Sequence, residues 1–149
     1  MATKLASRIL APADIVFDYV RNLDKVQLWV KEVEEAWYTH EPADRAEGTT
    51  FVQKIRQGLS LNTYQGEVLG FEQDRWLQVR LTGEALIMHV DYRVRPEERG
   101  CHFTFVTEVS SRNLRGAFLG MMFQGFSEQV LRRQLMTLKR VAEAEHRRA

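Results

Sequence analysis

Residues 113–149 read NLRGAFLGMMFQGFSEQVLRRQLMTLKRVAEAEHRRA. Within them Phe123, Phe126, Val130, Leu131, Leu135, Leu138, Val141 and Ala142 recur at steps of three and four. That spacing lines up one apolar stripe on an α-helix. Glu128, Arg132, Arg133, Lys139, Arg140 and Glu143 fall largely off the stripe, and Glu128 precedes Arg132 by four residues, the favourable order for a helical ion pair. The pattern predicts a helix from about residue 114 to residue 145. Nearly everything before it alternates as strands do. The chain therefore reads as α+β: a curved antiparallel sheet of six to seven strands wrapped around one long C-terminal helix.

At 149 residues the chain reads as one domain over its whole length, with enough material for a real core. A net charge of +1 with interleaved signs supplies no basic face, so nucleic acid is not an expected partner. The cationic end (Lys139, Arg140, Arg147, Arg148) suits the C-terminus of a helix dipole. The single Cys101 excludes an internal disulfide and fits a reducing, cytoplasmic setting. No run is apolar and long enough to span a bilayer, and no N-terminal run resembles a signal peptide.

In chain order, residues 4–10 (KLASRIL) alternate as a first strand. Pro12 and Asp14 suit the first turn of a helix that stops near Asn22. Asp24 and Gln27 resemble a capping box opening a second short helix. Residues 32–40 resume strand character, and residues 41–48 (EPADRAEG) form a loop.

The next sixty residues can be tested for consistency through their turns. A two-residue turn at Gly58–Leu59 pairs Gln53 with Tyr64 and Phe51 with Gly66. A turn at Glu72–Gln73 pairs Val68 with Leu77. A type II′ turn at Gly83–Glu84 pairs Leu81 with Leu86. A four-residue loop at residues 97–100 pairs Val94 with Phe103 and Tyr92 with Phe105, whereas a one-residue slip exposes two phenylalanines. Opposed residues share a face. One face then collects Phe51, Gln53, Ile55, Tyr64, Val68, Leu77, Val79, Met88, Val90, Tyr92 and Val94; the other collects Lys54, Arg56, Gln65, Glu67, Arg80, His89, Asp91 and Arg93. An antiparallel meander with one wet face follows. Leu69, Phe71 and Trp76 fall on the polar face in this register, through a β-bulge, a partner surface or a misplaced turn.

Strand, two short helices, meander and long helix is an order that resembles the START-like (SRPBCC) superfamily, with its helix-grip fold. That superfamily includes the Bet v 1 allergens, lipid-transfer domains and polyketide cyclase-like proteins. The echoes are APADIVFDYVRNLDKVQLWV, EGTTFVQKI, GEVLGFEQDRWLQVRL, GCHFTFVTEV and LRRQLMTLKRVAEAE. They cover almost the whole chain and look closest to the small bacterial polyketide cyclase/dehydrase-like branch. The resemblance implies an apolar cavity between sheet and long helix. It is carried by apolar spacing with few chemical residues, so it speaks to fold before function.

Little in the residues points to catalysis. His40, His89, His102 and His146 show no paired ligand spacing, so no metal site is expected. Cys101 has no evident base nearby in sequence. No nucleophile elbow or phosphate loop occurs, and no cofactor is expected. No acid, histidine or lysine falls on the inward face. Polar residues that do fall there are Gln53, Tyr64, Tyr92 and Thr107. They either satisfy one another, Gln53 bonding Tyr64 across the strands, or orient the polar end of a ligand. The expected ligand-binding set is Phe51, Gln53, Tyr64, Met88, Val90, Tyr92, Phe103, Phe105, Met122 and Phe126, with catalytic residues unassigned. The expected partner is a small apolar molecule: a lipid, polyketide, isoprenoid or aromatic metabolite. A cyclase or dehydratase using the same cavity is the alternative, and an interaction surface at Leu69, Phe71 and Trp76, such as a homodimer contact, is a third reading.

Overall fold

The computed structural model of the chain describes residues 2–112 and 127–149. A first strand β1 (Ala2–Ile9) leads into helices α1 (Ala13–Arg21) and α2 (Leu23–Trp29). Six strands follow: β2 (Val33–His40), β3 (Thr50–Gln57), β4 (Ser60–Glu72), β5 (Trp76–Thr82), β6 (Leu86–Glu97) and β7 (Gly100–Ser111). A C-terminal helix α3 (Glu128–Arg148) closes the chain. The strands form one antiparallel sheet in the order β1-β7-β6-β5-β4-β3-β2. The helix packs on β1, α1 and α2. This is the helix-grip arrangement that the residue pattern implied.

Local chemistry explains the element ends. Pro12 is the N-cap of α1, just outside the helix, and Asp14 lies in the first turn. Asn22 both ends α1 and caps α2: its side-chain oxygen accepts from the Asp24 N–H at 3.0 Å, so Asn22, not Asp24, opens the second helix. Ser127 caps α3 by accepting from the Val130 N–H, and Glu128 pairs with Arg132 at 2.7 Å. The buried side of α3 is Leu131, Gln134, Leu135, Leu138 and Ala142: of the stripe read from sequence, Leu131, Leu135, Leu138 and Ala142 are buried and Val130 and Val141 half-buried, while Gln134 joins them from outside that reading. The helical reading upstream of Ser127, with Phe123, Phe126 and Met122, lies outside the described residues.

Two of the four hairpins keep the expected register: Gln53 opposes Tyr64, and Tyr92 opposes Phe105. In the latter, β6 and β7 pair out to Glu97 and Gly100, leaving a tighter loop than residues 97–100. The other two differ. Leu81 opposes Met88 instead of Leu86. An offset of two residues keeps every side chain on its face. Between β4 and β5 the turn is three residues, with Asp74 at φ 61, and the register shifts between Val68 and Gly70. Val68 therefore opposes Val79, and Phe71 opposes Leu77. That β-bulge at Leu69 returns Phe71 to the inner face. Trp76 stays outside, over Gly70, donating to Asp91 at 2.8 Å beneath the Arg93 guanidinium. Leu69, Phe71 and Trp76 do not form one outward patch.

Candidate functional site

The concave face of the sheet, α1–α2 and the start of α3 enclose a cavity of about 100 Å³. Its walls are mostly aliphatic and aromatic. The sheet gives Phe51, Ile55, Val68, Phe71, Leu77, Val79, Leu81, Met88, Val90 and Phe105; the helices and their connections give Val20, Leu23, Val26, Trp29, Val30 and Leu131. The sheet residues arrive there by period-two alternation on successive strands. Gly66 permits the close approach of Phe51: a Cβ at that position would lie 2.2 Å from the ring.

Of the expected site residues, Phe51, Gln53, Met88, Val90, Tyr92 and Phe105 stand on the cavity wall. Tyr64 and Phe103 do not. Tyr64 is buried against Gly83, and its hydroxyl donates to Gln57 Oε1 at 2.7 Å, not to Gln53. Gln57 also accepts from Asn62 at 2.6 Å, so Tyr64 belongs to a polar knot at the end of the β3–β4 hairpin. Phe103 packs behind the wall, stacked on Tyr92 at 6.2 Å. Met122 and Phe126 lie outside the described residues.

The aromatic end of the cavity is organised around Tyr92. Its ring packs against both Phe103 and Phe105 (6.2 and 6.1 Å), which are themselves 5.9 Å apart, and meets Trp29 edge-on at 6.2 Å. Trp29 is oriented by its Nε1–H donating to the Tyr19 carbonyl at 2.9 Å. The Tyr92 hydroxyl has no hydrogen-bond partner among the described residues, and Tyr92 lines the cavity. Burial pushes its pKa up, so it stays a protonated donor. The side chains of Gln53 and Thr107 also line the cavity without a hydrogen-bond partner among the described residues.

The inner-face pattern missed the charged residues of the wall. Glu32, Glu41 and Arg21 all line the cavity, because helix ends and loops place them there outside any strand alternation. Glu32 Oε1 accepts from Gln134 at 2.8 Å, and Arg133 stands 3.8 Å from Oε2. Gln134 carried a signal: it is a polar residue three positions after Leu131, within the apolar stripe. Arg21 lies over the Phe71 ring at 5.1 Å. Cys101 is fully buried, and burial, with Glu97 nearby, pushes its thiol up to about 11, far from nucleophilic use. Among the described residues no group of histidines, cysteines or carboxylates is arranged to hold a metal.

The family model described as polyketide cyclase / dehydrase and lipid transport matches residues 3–143. The chain belongs to this family. Solved structures sharing the fold of this family member include a START superfamily protein from Mycobacterium smegmatis. The two share 12% identity over 96% of this chain and 97% of that one, with a TM-score of 0.79. A Thermus thermophilus protein is 15% identical over 97% and 99% of the chains (TM-score 0.77). The ZhuI aromatase/cyclase of Streptomyces sp. R1128 is 14% identical over 99% and 94% (TM-score 0.72). At such identities the likeness establishes the START fold and nothing finer. No curated protein matches the chain. No helix among the described residues of this family member is long and apolar enough to cross a membrane.

Proposed function

We propose that the chain binds a small, largely apolar molecule in the cavity between the sheet and the C-terminal helix. The observation that carries this reading is the wall itself: a mostly apolar enclosure on which Gln53, Tyr92 and Thr107 present side chains with no partner among the described residues. A few convergent polar groups on apolar walls are the usual form of a ligand site. The family description, which joins cyclase chemistry with lipid transport, is compatible with it. Native mass spectrometry of the purified protein should reveal a co-purified apolar molecule, and its removal should lower the melting temperature, because such a ligand binds only the folded chain. A protein purified empty, whose melting temperature no apolar compound raises, contradicts the proposal.

One observation favours a second reading, a cyclase or dehydratase acting in the same cavity. Glu32 places a carboxylate on the wall, where an acid–base step would need one. Turnover of a poly-keto substrate by the wild type, lost in Glu32→Gln with substrate binding retained, would support it; no turnover by the wild type would exclude it, and equal turnover by both would exclude Glu32 as its acid–base residue.

A further inference from the structure

The aromatic end of the cavity says more about its occupant than the apolar walls do. The volume, about 100 Å³, is below the roughly 150 Å³ of cavities known to admit benzene, so a single ring already needs the walls to yield and a larger ring system needs them to yield further. The rings of Trp29, Tyr92 and Phe105 stand on its wall, the last two stacked and the first edge-on to Tyr92. Such faces and edges favour another aromatic ring. The Tyr92 hydroxyl has no partner among the described residues, and Thr107 lies one residue pair further along the same inner face, opposite Val90.

Charge narrows the class. Of the charged side chains on the wall, Arg21 and Glu41 belong to residues exposed to solvent, and Glu32 is engaged by Gln134. Three aromatic rings pack on Tyr92, and among the described residues no ion pair or cation lies against it, so nothing described there compensates an ionised group. Burying an unpaired carboxylate or ammonium at that end is costly, whereas a ketone or hydroxyl needs one partner only. We propose, building on the cavity-binding reading above, that the occupant is an uncharged, single-ring aromatic molecule whose carbonyl or hydroxyl meets the Tyr92 hydroxyl.

Calorimetric titration with acetophenone, ethylbenzene, benzoate and 2-acetonaphthone tests this. Acetophenone should bind best, benzoate at neutral pH should not bind, and acetonaphthone should bind more weakly than acetophenone. Tyr92→Phe should weaken acetophenone about two- to tenfold, the range set by one neutral hydrogen bond, and leave ethylbenzene within about a factor of two. Equal effects of Tyr92→Phe on both ligands would overturn the assignment, as would benzoate binding like acetophenone or tighter binding of the larger ketone. If Tyr92→Phe does not fold, the comparison of the four ligands on the wild-type chain decides. If the ring compounds fail while a long-chain alcohol raises the melting temperature, this inference falls and the cavity-binding reading stands. If none of them binds, both fall.

Discussion

Gly66→Ala tests whether the space inside the sheet is set where the residues indicate. Gly66 opposes Phe51 across β3 and β4, on the inner face. An added Cβ would sit 2.2, 2.3 and 2.6 Å from three carbons of the Phe51 ring. Ordinary carbon contacts lie at about 3.5–4.0 Å, so the ring must retreat by roughly 1.3 Å or more. Phe51 is 5% exposed and lines the cavity, so the open direction is the cavity itself. Overpacking of this kind costs about 1–3 kcal/mol. Alanine recovers part of that through the lower backbone entropy of the unfolded chain, about 0.5–1 kcal/mol. A net loss of about 0–2.5 kcal/mol follows, and the 2.2 Å approach puts the expectation above the middle of that range, at about 1.5 kcal/mol or about 3–6 °C in melting temperature for a chain of this size. Urea melts would read the stability, and titration of an apolar ligand would read the lost volume. In Phe51→Leu the same alanine should be nearly neutral, giving a coupling of about 1 kcal/mol between the two sites. A Gly66→Ala protein within about 0.5 kcal/mol of wild type would refute the reasoning, and so would strict additivity with Phe51→Leu.

The remaining predictions concern the helix and the buried thiol. Leu135→Ala should cost about 2–5 kcal/mol, since Leu135 is 4% exposed within the core, while Arg133→Ala, with its side chain 65% exposed, should stay within about 0.5 kcal/mol; equal losses in denaturant melts would contradict the helix phase. Glu143 should make stability pH-dependent. Burial alone would raise its carboxyl, but the Leu10 N–H (2.9 Å) and Lys139 (2.6 Å) outweigh burial and hold it below its ordinary value. Its contribution is therefore present above the unfolded-state pKa and is lost as pH falls through the folded one. Wild type should lose more stability than Glu143→Gln on acidification from neutral pH, and parallel pH curves of urea midpoint would reject this. Cys101 should resist iodoacetamide at pH 8 in the native protein and react readily in denaturant; equal rates would show that the thiol is not enclosed.

The sheet was legible because its turns check one another. Gly58–Leu59 and the paired phenylalanines of β7 each demand a register, and the two agree on which face is apolar. The Gly83 turn was misplaced by two residues without harm, since two residues is one full period of a strand. The β4–β5 hairpin was not legible, because a bulge is a one-residue event that alternation cannot distinguish from a polar-face hydrophobe. Phe71 therefore reached the cavity from a position that pattern alone assigned to the other side. Tyr64 failed for a different reason. Its face was right, but Gln57, at the strand end, competed for its hydroxyl and won at 2.7 Å. Glu32 and Arg21 come from helix ends and turns, which have no period to read.

The polar contacts of α3 are divided along its length in a way that separates holding the fold from facing the cavity. Toward its C-terminus the helix is tied down repeatedly. Glu143 accepts from the Leu10 N–H, Lys139 bonds Glu143 and the Arg8 carbonyl, and Glu145 accepts from Tyr19 at 2.9 Å beside Lys25, which also pairs with Asp18 at 2.8 Å. These contacts join α3 to β1, α1 and α2, and each belongs to a residue absent from the cavity wall. Leu131 and Gln134, one turn apart near the N-terminal end, are the described α3 residues that do line the cavity. Leu135 and Leu138 fill the core between the two regions. An occupant that displaces Gln134 from Glu32 would thus disturb one hydrogen bond near the start of the helix while the ties beyond Leu138 keep its far end in place. Among the described residues, then, the ties of α3 to β1, α1 and α2 lie toward its C-terminal end and its cavity contacts near Ser127.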